Sequence, residues 1–417
     1  MINKLKPKSE FSRNVLTLMM GTTIAQAIPI AISPILTRIY TPEDFGLFAL
    51  FIAIASIFGS IANGRYELAI MLPKKDEDAI NIFALGFIIT STISCILLIL
   101  AILFHDYFVT LLNNDKIGVW LYFVPIVVFF TGIFNILNYF NNRKKYYKDI
   151  ATATITKSII LAITQLSIGF IKSGVTGLIS GQILSQVFAN MQLFKNIIKD
   201  KLLLSKISKI KIIALAKRYK DFPKFSMWAI LANSLTYNLT NILISSFYNI
   251  KTLGFYSLVQ RLLGMPSSLI GSSIGQVFMQ EATKEKQEFG NSIKSFNLTL
   301  KKLILIALPS FLLLFLIVED LFAFIFGEEW RVTGHYAQIV IPLFFVRFIS
   351  SVLSVLLIVY EKQKVEFFIN IILLATSTIL IYCTSTFIEF LYIFSIVMSI
   401  NYLLFIIYYF KLVKGIL

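Results

Sequence analysis

Long apolar stretches recur along the whole 417-residue chain and are separated by short polar connections. A helix needs about 20 mostly apolar residues to cross the hydrocarbon core of a bilayer, because it rises about 1.5 Å per residue. The pattern therefore predicts an all-α integral membrane protein with about twelve transmembrane helices. The predicted spans are residues 12–40, 44–72, 79–104, 118–139, 150–171, 175–194, 223–248, 253–280, 296–318, 336–360, 365–384 and 387–410.

One segment of the first half aligns without a gap to a segment of the second half. Segments 40–50 and 248–258 share a tyrosine, a glycine and a leucine at corresponding positions. In each half the segment is the turn between the first and second spans, and the same order of spans follows. This predicts two parallel six-helix lobes, 1–195 and 223–417, joined by a basic cytoplasmic connection over 196–222, with a substrate site between the lobes.

The composition agrees with this fold class, and the charge distribution gives an orientation. Apolar residues make up 57% of the chain and charged residues 14%, with a mean hydropathy of +0.80. Of the Lys and Arg residues, 29 fall on the side of the N-terminus and five on the opposite side. Positively charged connections stay in the cytoplasm, so both termini are predicted to face the cytoplasm of a bacterial inner membrane. The net charge of +16 therefore does not indicate nucleic-acid binding.

The longest connection, 195–224, contains ten basic residues. Ile207, Ile210, Ile213 and Ala214 lie in it at helical spacing, which predicts an amphipathic helix. Such a helix would lie on the anionic lipids of the cytoplasmic leaflet. A solvated connection that only sets the topology is the alternative.

Charged side chains inside the predicted spans are candidates for function, because an intramembrane charge normally faces a wet cavity or a partner. Guanidinium and ammonium groups bind phosphate oxygens, so a cationic lining would suit a pyrophosphate. Polar amides inside the spans could contact sugar hydroxyls, or could simply join helices by hydrogen bonds. The basic candidates are Arg65, Lys157, Arg261 and Arg347, and the amide candidates are Gln26, Asn233, Asn238 and Asn241.

Glu67 is an acidic residue inside the second predicted span. It follows Arg65 by two positions, about 200° around a helix, so the two side chains are not expected to pair. Each should have its own partner. Glu67 could carry a coupling proton or sodium ion, or could pair structurally with a lysine such as Lys74.

No pattern for catalysis, a metal or a cofactor accompanies these charges. Cys95 and Cys383 lie inside apolar runs, and His105 and His335 lie in separate connections. Paired acids, metal-ligand spacings and nucleophile motifs are lacking. The sequence therefore predicts no cofactor and no enzymatic step.

Residues 37–46 (TRIYTPEDFG) and 64–79 (GRYELAIMLPKKDEDA) resemble the polysaccharide flippases that export O-antigen and capsule repeat units. The resemblance covers essentially the whole chain. It implies the two-lobe fold shared with the multidrug exporters and the lipid II flippases, and an undecaprenyl-pyrophosphate-linked oligosaccharide as substrate. It also implies work beside a polysaccharide polymerase and a chain-length regulator.

The stretch 260–266 (QRLLGMP) looks like the eighth helix of the lipid II branch, and this likeness makes Arg261 a cavity candidate. The first-helix arginine of that branch has no counterpart here. The first-helix acid of many drug exporters is missing too. An O-antigen polymerase and a drug or toxin exporter remain the alternatives, although the short outer connections argue against the polymerase.

Overall fold

The computed structural model describes residues 10–172, 174–267 and 271–416. These residues are almost entirely helical and contain no β-strand. They divide into two compact units, Met1–Ser234 and Leu235–Leu417. The N-terminal lysines that contributed to the predicted orientation lie outside the described residues.

The first unit contains six long helices and one shorter helix in the basic connection. Short helical turns join them at both ends. The helices are α1 (Glu10–Ala31), α2 (Pro42–Gly59), α3 (Asp76–Leu103), α4 (Val124–Arg143), α5 (Tyr147–Ile171), α6 (Thr176–Lys199) and α7 (Lys209–Arg218). The turns are Ser33–Ile39, Tyr66–Ala69, His105–Leu112, Asp115–Ile117, Gly118–Leu121, Lys201–Leu204 and Phe222–Ser226.

The second unit repeats this plan, with α9 and α10 together in the place of the single second helix of the first unit. Its first helix begins within the first unit, so one continuous helix belongs to both. The helices are α8 (Met227–Phe247), α9 (Ile250–Pro266), α10 (Ser272–Phe289), α11 (Ile293–Phe326), α12 (Arg331–Leu353), α13 (Gln363–Cys383) and α14 (Phe387–Val413). Two short turns, Glu328–Trp330 and Leu356–Val359, flank α12.

Nine helices of the described chain are long and apolar enough to cross a membrane. The predicted spans 175–194 and 223–248 also fall on helices. The predicted span 253–280 covers parts of α9 and α10, and residues 268–270 of it lie outside the described residues. Helices α6 and α8 carry more polar side chains, and α9 is only 17 residues long. The nine are Thr17–Ile39, Pro42–Gly59, Asp76–Leu103, Val124–Arg143, Tyr147–Ile171, Ile293–Phe326, Glu328–Val359, Lys364–Cys383 and Phe387–Val413.

The turn that suggested the internal repeat has the same structure in both units. The Tyr40 hydroxyl donates a hydrogen bond of 2.6 Å to the Gln165 carbonyl on α5, and the Tyr248 hydroxyl lies 2.7 Å from the hydroxyl of Thr384 after α13. In each case a polar side chain next to the tyrosine then caps the following helix. Each tyrosine thus ties the first helix of its repeat to the fifth.

Most helix pairs also correspond between the units. In the first unit α4 packs against α2, α3 and α6, and in the second unit α12 packs against α9, α11 and α14. The fourth helix is therefore central in both repeats. The two units differ at one pair, because α1 packs closely on α5 whereas α8 makes few close backbone approaches to α13.

Helix α7 of the basic connection is docked on the first unit. The Asn81 side chain donates to the Lys206 carbonyl (3.0 Å) and accepts from the Ser208 amide (2.8 Å). Leu215 is buried. The hydrogen bond to Glu77 raises the pKa of Lys211 above its usual range. The predicted helix is present, and one of its faces belongs to the core of this unit.

The opposite face of α7 and of the turn before it is apolar and uncovered in the described chain. Ile207, Ile210 and Ile213 are 39%, 81% and 47% exposed. These are the side chains that the sequence analysis placed on one face. One apolar face of α7 is therefore buried against the first unit, and the other leaves an exposed stripe of isoleucine side chains.

Candidate functional site

A polar cavity lies inside the second unit, among α8, α9, α12, α13 and α14. The space between its atoms is about 510 Å³, including the part open to solvent. Its apolar lining comes mainly from leucine and phenylalanine side chains, and no Asp or Glu lines it. The polar lining consists of Thr236, Tyr237, Thr240, Tyr256, Gln260, Arg347, Ser377 and Tyr402.

Arg347 provides the positive charge of the cavity. Its guanidinium carbon lies 5.3 Å from the ring centre of Tyr237 and 5.6 Å from that of Phe344, both within cation–π range. The Tyr237 hydroxyl accepts a hydrogen bond from it. In the described part of the chain, no carboxylate forms an ion pair with Arg347. Aromatic rings hold the guanidinium in place and leave its charge uncompensated.

Three tyrosines and one amide surround this charge. Tyr256 is 2% exposed, and its hydroxyl is hydrogen-bonded to the Gln260 side chain one turn further along α9. Tyr402 and Tyr256 interact electrostatically with Arg347. Phenol and amide groups donate and accept hydrogen bonds, as sugar hydroxyls and phosphate oxygens require.

An unpaired cation inside a membrane helix is energetically costly. It therefore normally pairs with a ligand or faces a water-filled cavity. The cavity supplies one guanidinium, several hydroxyls and one amide. The chemistry of its lining therefore suits an anionic group with a polar neighbour, such as a phosphate or an acidic sugar. Its lining contains no carboxylate that would pair with a cationic drug.

The other candidates of the second unit do not line this cavity. Arg261 follows Gln260 on α9 but points about 100° away around the helix and is partly buried. Asn238 and Asn241 lie on α8, where the cavity is lined by their neighbours. The side-chain oxygen of Asn241 is buried without a hydrogen-bond partner in the described chain.

Three candidates lie in the first unit and are not among the residues that line this cavity. The Lys157 ammonium on α5 lies 5.0 Å from the ring centre of Phe134 and forms no ion pair within the described residues. Gln26 is partly buried on α1, and Asn233 is partly buried near the start of α8. Lys157 is thus a second intramembrane cation without an acidic partner.

Arg65 and Glu67 were expected not to pair, and this expectation was wrong. A terminal nitrogen of Arg65 lies 3.0 Å from Oε1 of Glu67. The argument assumed a helix through both residues, but α2 ends at Gly59. The backbone is left-handed at Gly64 (φ 57°) and Arg65 (φ 66°), which brings the two side chains together. The pair is an ion pair in a turn, not two charges within a span.

The sequence analysis missed most of the cavity. Tyrosine counts as apolar in a hydropathy pattern, so Tyr237, Tyr256 and Tyr402 did not stand out within apolar helices. One signal was available, because Tyr256 and Gln260 are four residues apart and therefore share a helix face. That polar pair inside a span could have marked α9 as a cavity helix.

Residues 35–334 match the family model described as polysaccharide biosynthesis protein. The chain belongs to this family. No curated protein sequence matches the chain. The family assignment therefore depends on the family model, which covers well over half of the chain.

Solved structures show the fold of this polysaccharide biosynthesis protein. The lipid II flippase MurJ in its inward closed conformation matches with a TM-score of 0.71 and 14% identity, over 95% of this chain and 87% of that chain. An inward-facing multidrug resistance MATE transporter of the MOP superfamily matches with a TM-score of 0.69 and 11% identity, over 95% of each chain. A MOP transporter from Pyrococcus furiosus, described by a reversed polarity of its binding pocket, gives 0.55 and 12%, over 96% of this chain and 95% of that chain. The family member is therefore a multi-pass membrane protein with a transporter fold.

Proposed function

We propose that this protein is a flippase that moves an undecaprenyl-pyrophosphate-linked oligosaccharide across the bacterial cytoplasmic membrane by alternating access. The oligosaccharide would serve the synthesis of O-antigen, capsule or exopolysaccharide. The family is one of polysaccharide biosynthesis, and the fold is similar to that of a lipid II flippase and of MATE transporters. The single observation that carries the proposal is Arg347 without an acidic partner in a polar cavity.

The substrate class follows from the chemistry of that cavity. A pyrophosphate or an acidic sugar supplies the charge that Arg347 lacks, while hydroxyl and amide groups of the lining bond the adjacent oxygens. No bond of the substrate is made or broken, so the protein acts as a transporter and needs no cofactor. Lys157 in the first unit would give the passenger a second cationic contact.

The orientation and the partners belong to the same proposal. Both termini face the cytoplasm, and α7 lies on the cytoplasmic leaflet with Ile210 among the lipid chains and its lysines near anionic headgroups. A polysaccharide polymerase and a chain-length regulator would receive the exported units. The exposed apolar stripe of α7 supports the lipid contact.

The proposal is tested by deleting the gene and locating the lipid-linked repeat units. A flippase deletion leaves the units on the cytoplasmic leaflet, protected from a glycosidase added outside spheroplasts. A polymerase deletion leaves single units on the outer face, where the glycosidase digests them. Complementation with wild-type protein should restore export, whereas R347Q at equal protein level should not. Outer-face units in the deletion strain would contradict the proposal.

A further inference from the structure

The turn between α2 and α3 contains a buried carboxylate with one unused oxygen. The Glu67 side chain is 5% exposed, and its Oε1 accepts from Arg65 at 3.0 Å. Its other oxygen, Oε2, is buried and has no hydrogen-bond partner in the described chain. An unsatisfied carboxylate oxygen is costly to bury, so this position favours a proton or another donor.

The geometry of the turn places Arg65 between Glu67 and solvent. Its side chain is 22% exposed, compared with 5% for Glu67. One terminal nitrogen binds Glu67, and Nε makes a long hydrogen bond of 3.4 Å to the hydroxyl of Ser226. The second terminal nitrogen makes no hydrogen bond to any described residue. An anion arriving from solvent can therefore reach Arg65 without displacing Glu67 first.

Hydrogen bonds attach the turn that contains Arg65 and Glu67 to the neighbouring helices. The Asn63 side chain, 2% exposed, donates to the Thr90 hydroxyl at 2.7 Å and to the Gly132 carbonyl at 3.0 Å. These bonds fix the turn to α3 and α4. Two consecutive left-handed residues follow, a conformation that a non-glycine residue adopts only when its surroundings impose it.

We infer that Arg65 and Glu67 form a proton-gated anion site. While Glu67 is ionised, it neutralises Arg65 and competes with an incoming anion. When Oε2 takes up a proton, the charge of Arg65 becomes available, and its free terminal nitrogen together with Nη1 can bind a phosphate group bidentately. Anion binding and proton uptake are then linked, and each strengthens the other by the same factor.

A proton fits this position better than a metal ion. A sodium or divalent ion at Oε2 would need several further oxygen ligands and would be repelled by the guanidinium on the other oxygen. The charged and titratable groups that interact with Glu67 are Arg65 in the same turn and Tyr139 on α4. The identity of the anion as a lipid pyrophosphate rests on the proposed function.

The test is a titration of purified full-length protein with farnesyl pyrophosphate at about pH 6 and about pH 8, in the R347Q background, which removes the positive charge of the cavity in the second unit. We expect binding about 10-fold tighter at the lower pH. Adding E67Q should make binding tight at both values, because the competing charge is gone. Adding R65Q should abolish binding. The ionisation of the probe itself affects all variants equally, so the difference between variants is the measurement.

Controls keep the result interpretable. E43Q removes an exposed carboxylate that pairs with Lys116 at 2.7 Å and should keep the pH dependence of the parent. E67D, checked by size-exclusion chromatography, retains a titratable group and should retain a pH dependence if E67Q fails to fold. Loss of all binding in the R347Q background, binding independent of pH, or an unchanged pH dependence in E67Q would each overturn the inference. Because export by R347Q is measured separately, the proposed function can stand when this site fails.

Discussion

The first and fifth helices of each repeat meet differently in the two units. In the first unit α1 lies so close to α5 that a Cβ on Gly21 would be 2.6 Å from the Cβ of Ala151. In the second unit α8 and α13 are joined through Tyr248 and Thr384 near one end and through the Thr236 hydroxyl and the Asn370 carbonyl (3.2 Å) further along, and both helices line the cavity. The same framework therefore gives a closed pair in one repeat and a binding cavity in the other.

The difference shows how a repeated fold can specialise one half. The closed pair is made by small residues that allow close backbone packing, as is usual between membrane helices. The open pair carries Thr236, Tyr237 and Thr240 on the corresponding helix, and these residues line the cavity together with Arg347. Substitutions in the closed pair should lower the stability of the protein, whereas substitutions in the cavity of the open pair should lower transport.

The largest effect is expected from R347Q, which removes the charge of the open pair. Transport of lipid-linked oligosaccharide into vesicles should fall about 100-fold, because the lost contact is a charge-assisted one in a desolvated site. R347K should lie between wild type and R347Q, since an ammonium lacks the planar fork. R331Q, which changes an exposed arginine paired with Glu328, is the matched control and should transport normally. Normal transport by R347Q would remove the basis of the proposed function.

The closed pair should respond to G21V by losing stability. The new side chain would meet the Ala151 backbone, since Cα of that residue is 2.9 Å from the position of a Cβ at Gly21. Overpacking of this kind destabilises by about 2 kcal/mol. Thermal unfolding in detergent measures it. G264A on α9 is the control, because a Cβ there meets nothing within 4 Å and should not lower the melting temperature.

A larger side chain in the cavity lined by α8 and α13 should reduce transport without unfolding the protein. Ser377 is 2% exposed, lines the cavity, and donates its hydroxyl hydrogen bond to the Leu374 carbonyl of its own helix. S377L would place an isobutyl group in the binding space and should lower transport about 10-fold. S377A should transport normally. Equal transport by both variants would show that the cavity is not on the substrate path.

The smallest effect is expected from K157M on α5. Removing an intramembrane ammonium that has no acidic partner should raise the free energy of unfolding by about 1 kcal/mol. If Lys157 contacts the passenger, the same substitution should lower transport about 3-fold, and K157R should restore it. A rise in stability with unchanged transport would assign Lys157 a structural position only.

The helices themselves were the part most readily predicted from the sequence. Apolar runs of sufficient length favour spans, and nine of the predicted spans contain a described helix that is long and apolar enough to cross a membrane. The end of the second span was missed because α2 ends at Gly59 and the chain then forms a turn, which includes left-handed backbone at Gly64 and Arg65. Hydropathy does not report backbone conformation. The Arg65–Glu67 pair was missed for the same reason.

The candidate site could be predicted only in part. Arg347 was identified because a charge in an apolar run is conspicuous, and it lies in the cavity. The asparagines of α8 were equally conspicuous, yet their neighbours line the cavity instead. Which face of a helix turns inward depends on packing against other helices, and an apolar span lacks the polar stripe that reveals a face in a soluble protein.

The docking of α7 bears on how the chain could be divided experimentally. Since Asn81 holds the backbone on both sides of Ile207, the basic segment is part of the first repeat and not a free tether. A break after Arg218 should therefore keep the first repeat and its docked segment together on one fragment. A break after Lys195 would instead separate α7, including the buried Leu215, from the chain of the first repeat and would expose apolar side chains on both fragments.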